Sequence, residues 1–163
     1  MKTLSTILLS FALLFTATDL FAQEDGTIAA NATVLESISV DNVNDLEFGD
    51  VEIGNTSEVL PTEANAGQFN ISGTDGRDVS FSFTTLPTEL TDGTNSITIT
   101  FGTSSAQWDN GDSSAAFDPN SDSPSASLFG GDVDVFIGGE VDATGAEAGD
   151  YTGSITLTAE YQL

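Results

Sequence analysis

The sequence predicts an all-β domain, an immunoglobulin-like antiparallel β-sandwich, on three observations. Apolar and polar residues alternate at period two through most of the chain beyond residue 22. Glycine-rich turn signals such as Asp92-Gly93, Asn110-Gly111, Gly130-Gly131, Gly138-Gly139 and Gly149-Asp150 punctuate these runs. No stretch after the first two dozen residues sustains a helical period. About eight short strands at this spacing read as two packed antiparallel sheets.

The chain has 163 residues and opens with Lys2, a mostly apolar run over 4–15, and Leu20-Phe21-Ala22. A basic start, a short apolar stretch and a small residue at its end make the pattern of a secretory signal peptide. Residues 1–22 are therefore expected to be removed on export to the periplasm, cell surface or medium. The run is too short to span a bilayer comfortably, and no stop-transfer segment follows, so no integral membrane segment is expected after cleavage. Residues 23–163 read as a single domain without internal repeat, long enough to bury roughly two-thirds of its unfolded surface.

Within it, Ile28, Ala30, Ala32 and Val34 share one parity and predict a first strand, which Ile38 and Val40 resume. Leu46 and Phe48 lie on one parity and Val51 and Ile53 on the other, which predicts a bulge at Gly49-Asp50. Phe69 and Ile71 mark a short strand before the turn Gly73-Thr74-Asp75-Gly76. Val79, Phe81 and Phe83 predict the next strand, and Ile97, Ile99 and Phe101 another. Residues 103–127 are rich in Ser, Asp, Ala and Asn and read as a long excursion anchored by Trp108 and Phe117. Val133, Val135 and Ile137 follow. The last strand puts Tyr151, Gly153, Ile155, Leu157, Ala159 and Tyr161 on one face and Thr152, Ser154, Thr156, Thr158 and Glu160 on the other. Phe81, Phe83, Ile155 and Leu157 are expected to point inward.

Composition narrows the chemistry. The whole chain carries 26 acidic and 2 basic residues, net −24, with no His and no Cys. Beyond residue 22 the only basic residue is Arg77. Such a surface repels nucleic acid and anionic lipid, so no nucleic-acid partner is expected. A Ser-His-Asp triad, a Cys nucleophile, ordinary zinc or copper sites and Lys-dependent chemistry are excluded by residue type. With this many carboxylates, a glycosidase-like pair carries almost no signal, because nothing marks one carboxyl as buried with a raised pKa. No enzyme and no obligate cofactor are expected. Calcium is the one metal that oxygen ligands alone can hold. The acidic segment with Asp109, Asp112, Asp118 and Asp122, joined by Asn110 and Asn120, is the candidate site, although it lacks the EF-hand spacing. Trp108 beside it could stack on a sugar or simply anchor the loop.

Two segments carry a family likeness. Asp45-Leu46-Glu47-Phe48-Gly49-Asp50-Val51 resembles the Leu-x-Phe-Gly segment of a secreted bacterial family, the domain of unknown function 4402 family. Gly149-Asp150-Tyr151-Thr152-Gly153 resembles that family's Gly-x-Tyr-x-Gly terminal strand, and Gly138-Gly139 sits where the family has a hairpin before it. The same landmarks are similar to those of spore-coat-U and archaic chaperone-usher pilin-like domains. That resemblance implies a pilin-like sandwich, assembly by strand pairing with itself or other surface subunits, and no catalysis. The chain departs from those pilins in having no Cys and hence no disulfide. The expected function is a non-catalytic exported structural or adhesive module, a pilin-like cell-surface or fibre subunit. The alternative is a calcium-dependent carbohydrate-binding module built on the loop around Trp108. On the assembly reading, residues 27–34 lie against the C-terminal strand, within one molecule or between neighbours.

Overall fold

A computed structural model describes residues 24–162, so the expected signal peptide lies outside the described residues. The compact unit begins at Val34. Among the described residues there are twelve strands and no helix. β1 (Ser39–Asn44), β3 (Gly67–Ser72), β10 (Asp132–Ile137), β7 (Ala106–Asp109) and β8 (Ser114–Phe117) form one sheet in the order β1-β3-β10-β7-β8. β2 (Thr56–Val59), β11 (Gly139–Asp142), β6 (Ser96–Thr100) and β5 (Glu89–Thr91) form a second, in the order β2-β11-β6-β5. β12 (Thr156–Tyr161), β4 (Asp78–Thr85) and β9 (Ser125–Ser127) form a third, with β4 in the middle. Every ladder is antiparallel. The result is the expected antiparallel sandwich.

The first and third sheets face each other, and the alternation explains why. Val133, Val135 and Ile71 from one sheet and Val79, Phe81 and Leu157 from the other are all buried. Their polar neighbours in sequence face solvent, as a half-buried strand requires. Aromatic rings tie the layers together. Phe117 on β8 meets Phe81 edge-on at 5.9 Å and stacks on Phe83 at 6.0 Å, while Phe83 meets Phe69 on β3 edge-on at 6.3 Å. Phe83 and Ile155 are half-buried rather than fully buried, yet the expected parity holds.

Five expectations change. Residues 27–34 form no strand: regular pairing starts only at Ser39, and Ile28 and Val34 are 91% and 92% exposed. Alternation alone cannot make a strand without a ladder to satisfy its backbone. Residues 46–53 are not a bulged strand but a loop, in which Gly49 adopts a left-handed φ of 68°. Residues 103–127 contain β7, β8 and β9 rather than one long excursion; the small, polar residues there leave few apolar positions for the period to register. Gly138-Gly139 is not a turn. β10 passes through it into β11, pairing with β3 and β7 before it and with β2 and β6 after it. A Cβ on Gly138 would collide with the Val59 carbonyl oxygen, so glycine lets β2 pack directly across the kink. The last strand is also shorter than its alternation: pairing with β4 begins at Thr156, and Thr152 makes only a single bridge, to Thr91.

Candidate functional site

The four candidate calcium ligands fall in two turns. Asp109 ends β7 and Asp112 lies in the β7–β8 turn, whereas Asp118 and Asp122 follow β8. Ser114 and Phe117 bound β8 between the pairs, a rise of about 10 Å. The carboxylates instead serve their own turns. Asp109 accepts from the Gly111 N–H at 2.7 Å, and Asp122 accepts from the Asp118 N–H at 2.8 Å. The Asn120 N–H, at 2.9 Å, is the main reason that the Asp118 carboxyl is held below the usual carboxylate range. Among the described residues no three acidic side chains are grouped to hold a metal ion. Trp108 is half-buried and packs against the sandwich core.

Two other features stand apart from the packed core. The first is a groove over the second sheet. Ile97, Ile99 and Val141 form a small buried cluster on that sheet's inner face. No sheet covers it. Two irregular segments do, one supplying Phe48 and Val51 and the other Ala146 and Tyr151. They are the two family landmarks, and the structure brings them together on one cluster. Between them lies a cavity of about 860 Å³, within the size range of binding pockets. Leu46, Phe69, Leu90 and Ile155 add apolar wall. Asp45, Glu47, Asp50, Glu147 and Asp150 also line it, and all five are exposed. The Tyr151 hydroxyl donates to the Glu147 carbonyl at 2.9 Å and pins the second segment. Gly153 is forced by space: a Cβ there would press on Leu90 and Pro87. Sequence reading held these residues only as landmarks, because their convergence is long-range.

The second feature is an open edge. β12 pairs with β4 on one side, and no strand among the described residues pairs with the other. β1 is likewise an edge, and it approaches β12 across the sandwich. β1 is bulged between Asn42 and Asn44, which blunts it. β12 is regular from Leu157 to Tyr161. The Tyr161 hydroxyl accepts from the Thr74 N–H at 2.7 Å and donates to the Glu36 carbonyl at 2.9 Å, while the Glu36 N–H donates to the Thr74 hydroxyl at 2.7 Å. That clasp fixes the chain at Glu36. N-terminal to it, residues 26–35 carry no charge, and residues 26–34 are exposed to solvent.

Fold and site together define an antiparallel sandwich with an open edge and a loop-covered apolar groove. The family model described as Domain of unknown function (DUF4402) matches residues 24–161, and the chain belongs to that family. No curated protein and no solved structure gives a match.

Proposed function

We propose that this domain is a non-catalytic, exported structural or adhesive module that assembles with copies of itself or with other surface subunits by strand pairing at β12. The unpaired edge of β12 is the observation that supports it most. A regular edge presents a row of backbone donors and acceptors that another chain can complete. Residues 27–34 are the natural complement: alternating, uncharged and solvent-exposed. Exposed apolar residues in such an array favour burial against a neighbour. The resemblance to pilin-like domains points the same way. The absence of His and Cys from the chain, and of any buried charged residue among the described residues, supports a non-catalytic role. Export rests on the pattern of residues 1–22. In solution, the protein beginning at Gln23 should form concentration-dependent oligomers. The variant lacking residues 23–34 should stay folded and monomeric, and should bind a peptide of residues 27–35. A truncated protein that is folded yet indifferent to the peptide would refute assembly through this segment.

A further inference from the structure

The groove over Ile97, Ile99 and Val141 asks for a different partner. Its floor is apolar, while its mouth carries Asp45, Glu47 and Asp50 on one lip and Glu147 and Asp150 on the other. Arg77, the one basic residue among the described ones, is not part of it. We infer that this groove binds an extended segment of a partner protein in which apolar and basic side chains alternate. Three features carry the inference. The cavity of about 860 Å³ has room for several apolar side chains and now leaves Leu46, Leu90 and Ile155 only half-covered. The five lip carboxylates lie within about a Debye length of any segment seated on that floor, so the occupant's own charge decides whether it is drawn in or repelled. Residues 153–155 belong to no strand, although they run straight into β12, so their backbone offers a place for an added strand. An alternating segment laid there would turn its apolar residues to Leu90 and Ile155 and its cations to the lips.

A second copy of this domain is the poorer occupant. It brings a net charge of the same sign, and residues 26–35 bring no cation to the lips. The inference is separate from the assembly reading, since it concerns the groove and not the β12 edge; loss of self-assembly would leave it standing.

The test uses the full mature protein and three fluorescent ten-residue peptides, alternating Val/Lys, Val/Glu and Ser/Lys, with binding read by anisotropy at physiological salt. Val/Lys should bind at least tenfold more tightly than either control. Ile53→Ser, at a side chain 60% exposed on the groove wall, and the double variant Glu147→Gln/Asp150→Asn should each weaken Val/Lys binding severalfold while leaving the melting temperature near that of the parent. Equal binding of Ser/Lys would overturn the inference, since the acidic surface would then merely be condensing cations. No binding of Val/Lys, or binding unmoved by the groove variants, would overturn it as well. Tighter seating of a peptide of residues 27–35 at Ile53 would assign the groove to a second copy instead.

Discussion

The two apolar clusters of this domain are closed by different means. The larger one, around Phe81, Val135 and Leu128, lies between two sheets and is shut by interlocking phenylalanines. The smaller one, around Ile97, Ile99 and Val141, lies on one sheet and is covered by two loops that leave a cavity. Sheet-on-sheet packing brings side chains together at every second residue of each strand, so a core forms without gaps. Loops supply isolated anchors, here Phe48 and Tyr151, and the space between anchors stays open. The first region carries most of the buried apolar packing of the sandwich, and the second holds the groove for which binding is proposed.

The largest effect should separate the clusters directly. Phe81→Ala removes a ring that is 1% exposed and in contact with Phe117, and should cost about 3–5 kcal/mol in urea unfolding. Ile99→Ala, beneath the groove, should cost about 2 kcal/mol, because solvent already reaches the cavity above it. Equal costs would mean that the groove closes in solution. Next comes the kink that joins the two regions. Gly138→Ala should cost about 1–3 kcal/mol through the forced collision with the Val59 carbonyl.

Salt should act unevenly. The lip carboxylates repel one another across the groove, and sodium chloride screens this within about 10 Å at 0.1 M. Amide hydrogen exchange in residues 45–53 and 146–153 should slow with added salt more than in β3 and β10. Uniform slowing would show that repulsion is spread over the whole surface instead.

The smallest effect concerns turn carboxylates that belong to neither cluster. The Asn95 N–H, then that of Thr94, holds the Asp92 carboxyl below its ordinary 3.8, and the Thr144 hydroxyl and N–H do the same for Asp142. A depressed folded pKa means that the unfolded chain takes up the proton first as pH falls. The stabilisation is therefore complete above the ordinary value and is lost as pH drops through the folded one. Asp92→Asn should lower the melting temperature slightly at neutral pH, and the difference should disappear in strong acid. A gap that persists there would indicate a packing defect rather than lost charge.

The central strands were legible because their alternation is long and bulky. Val79-x-Phe81-x-Phe83 and Val133-x-Val135-x-Ile137 leave one face apolar, and a slip by one residue would expose all of it. β7, β8 and β9 were not legible. Their inward residues include Ala106 and Ala126, too small to mark a period in a Ser- and Asp-rich stretch. Residues 27–34 erred in the opposite direction, having the pattern of a strand without a partner. The acidic segment proposed for calcium was visible as composition, but β8 places its carboxylates in two turns.

By itself the sequence determined the class of fold, the facing of its main strands and the charge of its surface, because these follow from local period and residue type. Tertiary structure alone decided that Gly138-Gly139 would be a kink rather than a turn, through the approach of the Val59 carbonyl from a strand some 80 residues earlier. It alone decided that Phe48 and Tyr151, about 100 residues apart, would cover one cluster and leave a groove between them. Both outcomes depend on which strands pair across the sheet, and pairing is a long-range choice that no local period encodes.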